Sequence, residues 1–392
     1  MAESAPYCEK GLWHGRDAYV LGNEKIRLVV LTGGGHIAEF RFANSTGLPT
    51  VNPLWVPVWK MREPYQYREK LHAAHYGPPA TGRVLAGICG HNLCLDHFGP
   101  PSEQEAAHGL PLHGEAGVLR WRKRRLALTR RGVSVTLEVE LPIAGLHFER
   151  AINLRRGESV VYYRETVTNE RKVDHFFDWQ QHVTFGPPFL THKDCRLALS
   201  GTRGLVYSGG YEGKELLKSG AEFRWPNAPR ATGGKVDLTR PLSRRGRGIL
   251  ATVLLDRRRT LQYVAACNVR YGVLLGYTFR WEDFPWTAIW EENHARKYPP
   301  WNNKSEARGM EFGSSPLPVK PAEAIALGRL FGTPSCATVP ARGRKSIEYA
   351  AFLGALPKGF KDLRDIQVHK GAIEIHSTSS KEPLVLEGSG LG

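Results

Sequence analysis

The chain has 392 residues, 41% hydrophobic and 23% charged, a composition that fits a globular protein and excludes a disordered one. Its 54 Lys and Arg outnumber 38 Asp and Glu for a net charge of +16, so polyanionic partners have to be weighed. The opening MAESAPYCEKGLWHGRD lacks the basic-then-apolar run of a signal peptide, and no stretch approaches the roughly 20 apolar residues of a membrane-spanning helix, so the expectation is a cytoplasmic protein without a membrane partner.

Period-two patterns dominate the chain. KIRLVVLTGGGHIAEFRF (25–42) is two apolar runs joined by three glycines, a hairpin signal. GVLRWR (117–122) reads as a short strand. In GVSVTLEVELPIA, Val133, Val135, Leu137, Val139 and Leu141 alternate with Ser134, Thr136, Glu138 and Glu140, which predicts a strand with one buried and one wet face. Further strands are expected in 158–169, 248–255, 261–268, 271–281, 287–293, 346–353 and 372–378. Helical periodicity is confined to REKLHAAHY (68–76) and SEQEAAHG (102–109). Many antiparallel strands with few short helices predict an all-β fold, a large antiparallel β-sandwich. With 42 Gly and 26 Pro in turns and no low-complexity linker, a single domain over 1–392 is expected, its core at about 20–380 and a frayed tail at 381–392.

Six scattered cysteines do not make a disulfide framework. The Cys89-Cys94 pair, with His91 and His97, has C-x4-C spacing and no second cluster, so no metal is expected. Arginine is concentrated in WRKRRLALTRR (121–131), LSRRGRGI (242–249) and DRRR (256–259), each beside or between strands. No nucleic-acid-binding signature accompanies them, so the charge is expected to serve solubility or attraction of anionic ligands, not nucleic-acid binding.

Three segments break the strand pattern. DWQQHVTFGPPFL (178–190) places His182 among large apolar residues just before a rigid turn. LHGEAG holds His113 ahead of a strand, and WEENHARKYPPWNNKSEARGMEFGSSPLP holds Glu291, Glu292 and Glu311 among Trp290, Trp301 and Phe312. Aromatic faces beside polar groups suit a sugar, whose C–H faces rest on rings while its hydroxyls take hydrogen bonds. No Gly-rich phosphate loop, G-x-S-x-G or H-E-x-x-H is present, which removes several enzyme classes.

The ordered set "LHGEAGVLRW", "VTNE…WQQHVTFGPPFL" and "GMEFGSSPLP", spread over roughly residues 25–355, resembles the aldose 1-epimerase (galactose mutarotase-like) superfamily. The resemblance implies a β-supersandwich with a sugar cleft on one concave sheet, and an isomerase of sugar anomers that needs no cofactor. It implies His182 as general acid, Glu311 as general base and His113 as a sugar ligand. Arg83, Asp96 and Asp283 are the candidates for the family's substrate-binding arginine and aspartate, and Trp290 for a stacking face. Two positions depart from the pattern: Glu311 is followed by Phe312 and Gly313 instead of proline, and Gln181 precedes the histidine where asparagine is common. The expected partner is a small sugar or sugar derivative, one that could be anionic. The rival readings are a non-catalytic carbohydrate-binding protein and a polysaccharide lyase or hydrolase of the same fold.

Overall fold

A computed structural model of the protein describes residues 5–391. Nearly all of the secondary structure is antiparallel sheet, because the alternation that dominates the sequence is satisfied only by strands with one face in a core. A 14-stranded sheet is packed against an 8-stranded one. A 3-stranded sheet (Leu363–His369, Gly371–Ser377 and Leu384–Gly388) covers part of the second sheet's outer face. The antiparallel β-sandwich expected from the sequence is what forms. No helix among the described residues is long and apolar enough to cross a membrane.

The glycine-joined runs form the hairpin Ile26–Leu31 with Ile37–Phe42. The Gly132–Leu141 strand buries Val133, Val135, Leu137, Val139 and Leu141 and turns its polar residues outward. Both helical segments form, as Glu69–Tyr76 and Glu103–Ala107, the second closed by a Ser102–Glu105 capping box.

Two expectations are corrected. Residues 117–121 do not form a strand; they are turns and one isolated bridge between Arg120 and Gly33, and the strand begins at Arg122. The apolar residues there divide between clusters, Trp121 entering the sandwich core and Val118 packing with Trp55, Trp59 and Trp301 outside it. Nor is the tail frayed over its described residues, 381–391. Leu384–Gly388 pairs with Gly371–Ser377, and Ser389 and Gly390 hydrogen-bond Glu158 and Tyr162.

Within the first sheet, the His175–Phe185 strand lies between His91–Asp96 and Glu306–Gly313, and Trp286–Asn293 follows next. Leu93, Leu95, Trp179, Val183, Ile289, Met310 and Phe312 face the sandwich core. Strand geometry turns the intervening residues to the opposite face, where parts of the 55–88 segment, Val118 and Trp301 roof the sheet.

Between the sheets sits one buried polar knot. Arg150 Nε donates to Glu165 Oε1 at 2.6 Å, and both side chains are fully buried. Trp179 Nε1 and Gln181 Nε2 donate to Glu165 Oε2 at 3.0 and 2.7 Å, and Tyr349 Oη donates to Oε1 at 2.8 Å. His91 Nε2 meets Gln181 Oε1 at 2.8 Å. The knot ties the central strand of the first sheet to the second sheet. Removing one partner of a buried pair strands the other charge, so Glu165→Ala should lose about 3–5 kcal/mol of unfolding free energy in a denaturant titration. A loss under about 1 kcal/mol would show that the knot does not hold the sheets together.

Candidate active site

Strand register brings His182 and Glu311 side by side. Gln181 is opposite Phe312 and Thr184 is opposite Gly309, so His182 faces Glu311 across the pair, both on the roofed face. Asn92 is opposite His182 on the other side, and Ala288 is opposite Glu311. His182 Nε2 lies 3.2 Å from Glu311 Oε1, and the two residues are only 6% and 2% exposed. His182 Nδ1 contacts Thr184 Oγ1 at 3.1 Å. Glycine at 309 leaves room for this carboxyl: a Cβ there would lie 2.3 Å from Glu311 Oε1 and push it out of place.

His113 completes the group. Its ring centroid is 5.2 Å from that of His182, and Nδ1 meets the Phe98 carbonyl at 2.5 Å. A carbonyl only accepts, so Nδ1 carries the hydrogen and neutral Nε2 keeps its lone pair. His113 has φ +65°, and the following Gly114 has φ +77° with its Cα set so close to the chain that a Cβ would meet the Leu95 carbonyl oxygen at 1.9 Å. The His-Gly motif is thus a tight backbone turn that aims the imidazole.

Burial lowers the pKa of His182 well below 6.5, and the neighbouring His113 adds to this. Burial alone raises that of Glu311 well above 4.5, and no cation offsets it. Burial also lowers His113 to about 4. Desolvation disfavours the charged form of each group and so pushes the pair toward neutral imidazole and carboxylic acid. Its one proton is the same proton an imidazolium–carboxylate pair would hold.

Among the buried acceptors on this face without a hydrogen-bond partner are Glu311 Oε1 and Asn92 Oδ1. Leaving such atoms unpaired costs about 1–3 kcal/mol each, which a ligand with hydroxyl donors would recover.

One wall is aromatic. The Trp290 ring lies 6.2 Å from His182 and 6.0 Å from Trp301. The Arg296 guanidinium sits 5.6 Å from the Trp290 ring, 4.6 Å from Trp301 and 5.1 Å from Tyr211. It forms long ion pairs with Glu212 (3.5 Å) and Glu292 (3.8 Å).

Sequence reasoning brought His182, Glu311, His113 and Trp290 to one place. The structure gives Arg83, Asp96 and Asp283 other partners: Arg83 Nη1 donates to the Gly109 carbonyl at 3.1 Å, Asp96 meets His175 at 2.5 Å, and Asp283 accepts from Arg280 at 2.9 Å. The rival carboxylates are also committed. Glu291 faces the core and pairs with Arg308 at 2.5 Å, while Glu292 accepts from Tyr211 Oη and from the Ala295 and Arg296 amides. Asn92 and Arg296 were missed. The alternation in HNLCLD could have exposed Asn92, whereas Arg296 lies in an irregular loop whose sequence carries no such signal.

Cys89, His91, Cys94 and His97 do not converge on a metal site. His91 binds Gln181, His97 Nε2 meets the Pro111 carbonyl at 3.1 Å, and the cysteines are buried apart from them in separate apolar clusters. Glu138, His147 and Glu149, on the second sheet, lie within 4.8 Å of one another, but Arg122 and Arg124 hold the carboxylates.

No family model matches the sequence, and no curated protein matches it. Solved structures do. A protein of Clostridium acetobutylicum described as galactose mutarotase-like superposes at TM-score 0.59, 12% identical, over 90% of this chain and 99% of its own. The chain has the galactose mutarotase-like fold. A Klebsiella pneumoniae protein provisionally named an aldose 1-epimerase superposes at TM-score 0.64, 13% identical, over 88% of this chain and 83% of its own. A galactose mutarotase related enzyme of Lactobacillus acidophilus gives 0.51 at 12% identity, over 87% and 98%.

Both charge states are open to measurement. In a histidine NMR titration, the His182 imidazole should stay neutral well below pH 6.5. A protonated-carboxyl infrared band should persist well above pH 4.5 and vanish in Glu311→Gln. An imidazolium at neutral pH would overturn the neutral-pair assignment.

Proposed function

We propose that the protein is an aldose 1-epimerase-like isomerase that interconverts the anomers of a sugar by opening and reclosing its ring. The observation that supports this most directly is the His182–Glu311 pair, a proton donor and acceptor 3.2 Å apart on a face with unpaired hydrogen-bond acceptors. A cyclic sugar presents its ring oxygen and anomeric hydroxyl on one carbon, so two adjacent groups reach both.

With the sugar bound, hydroxyl donors to Glu311 replace the hydrogen bonds it lacks and favour its carboxylate, and the proton passes to His182. Glu311 then takes the anomeric proton while His182 protonates the ring oxygen, and the C1–O5 bond breaks. The aldehyde turns about C1–C2. Reclosure on its other face returns the proton from Glu311 to the new anomeric hydroxyl and that of the ring oxygen to His182. Charge is never separated by more than one proton transfer, which suits a site this dry. Nε2 of His113 accepts from a sugar hydroxyl, Asn92 Oδ1 from another, and the Trp290 ring offers a face to the sugar's C–H groups.

His182→Asn and Glu311→Gln should each slow catalysed mutarotation of fresh α-anomer, read by polarimetry or NMR, by about 100- to 10,000-fold while the fold survives. Near-normal turnover in either variant removes that residue from the mechanism. His113→Asn should raise KM more than it lowers kcat. If the wild type binds sugars without accelerating mutarotation, the chain is a carbohydrate-binding protein. An ultraviolet-absorbing unsaturated product from a polyuronate would mark a lyase.

The pH–rate profile should be a broad plateau. Its acid limb falls only where His182 takes a second proton, below its ordinary 6.5, and its alkaline limb only where Glu311 loses the shared one, above 4.5 and displaced upward by burial. A narrow bell centred near neutrality would contradict this pairing.

A further inference from the structure

A groove of about 1180 Å³ crosses the outer face of the second sheet, turned away from the His182–Glu311 face. Its floor is a single register row: Ser134 is opposite Asn153, Asn153 opposite Tyr162, Tyr162 opposite Ala350 and Ala350 opposite Thr278. Five strands at about 4.8 Å spacing make this row roughly 19 Å long. Small polar groups line it at the Ser134 end, and at the other end Tyr162 and Ala350 pack against the cluster under the 3-stranded sheet, whose following residues Ser389–Leu391 form one bank.

The rim is strongly cationic. Arg130, Arg131, Arg155, Arg156, Arg164 and Arg280 line the groove, against only Glu158 and Glu348. Both acids already have partners on the groove's walls. Glu158 takes Tyr162 Oη at 2.5 Å and the Ser389 amide at 3.1 Å, and Glu348 stands 3.8 Å from Arg164. Arg280 pairs with Asp283 at 2.9 Å, and Arg155 donates to Ser389 Oγ at 2.6 Å. Arg130 and Arg131 together form an exposed hairpin turn at the end of the arginine-rich 121–131 segment. With Arg164 and Arg280 paired to acids, Arg130, Arg131 and Arg155 still leave positive charge facing an open trough.

We infer that this groove is a second binding site, which takes a linear acidic polysaccharide with a carboxylate on successive sugar units. Carboxylates match the forked donors of arginine, and the hydroxyls between them match Ser134 and Asn153 on the floor. Nucleic acid fits less well. Single strands are held by stacking on bare aromatic faces, and here the one outward-facing floor ring, Tyr162, is covered by the Arg155 guanidinium at 5.1 Å. An acidic peptide would look for a free strand edge or apolar pockets, and the floor is the middle of a sheet. The inference stands apart from the mutarotation reading, because the two sites share no residue.

The test is a calorimetric titration with oligogalacturonate, with an uncharged malto-oligosaccharide of equal length and a single-stranded RNA oligomer as the other arms. Oligogalacturonate should bind with an affinity that falls as salt rises. Arg131→Glu combined with Arg164→Glu should weaken it at least about tenfold, as expected for losing two charge-assisted contacts, with mutarotation unchanged. Should that variant fail to fold, phenylglyoxal labelling of the wild type answers the same question: oligogalacturonate should protect Arg130, Arg131 and Arg164. The inference falls if oligogalacturonate does not bind, if the neutral oligomer binds equally, if RNA binds more tightly, or if neither substitution nor labelling touches the binding.

Discussion

One strand pairing carries the site. The His175–Phe185 and Glu306–Gly313 strands meet in a register that sets residue 182 against residue 311. Side chains alternate along a strand, so a one-residue slip of either strand would send its imidazole or its carboxyl into the sandwich core and bring Gln181 or Phe312 out. The register is fixed from both sides. Trp179, Val183, Met310 and Phe312 fill the core, and Gln181 is held by the Arg150–Glu165 knot behind the sheet. The chemistry on one face is therefore positioned by apolar packing and buried hydrogen bonds on the other.

Burial then sets the electrostatics. A carboxyl with no cation beside it and a histidine closed off from water both favour their neutral forms, and the roof over the first sheet keeps them so. The committed partners of Glu291 and Glu292 are as informative, because they leave Glu311 as the carboxyl beside His182 with an oxygen that has no hydrogen-bond partner. The two outer faces of the sandwich are unlike. One is roofed, aromatic and nearly dry, and the other is open and rimmed with arginine.

Alternation in segments such as 132–141 and the glycine hairpin at 33–35 was enough to read an all-β sandwich, since each depends on neighbours two residues apart. The 117–121 and C-terminal readings failed for the opposite reason. Whether an apolar pair enters one core or two, and whether a polar tail finds a partner, depends on surfaces distant in the chain.

Strand periodicity was legible in the residues alone, and their motif order singled out His113, His182 and Glu311, because these are local patterns. The folded chain was needed to show that the three share one dry face, that Arg83, Asp96 and Asp283 have other partners, and that Arg296 and Asn92 join the site. Proximity between residues about 70 to 200 positions apart comes from sheet order and register, and those are settled by how the whole core packs.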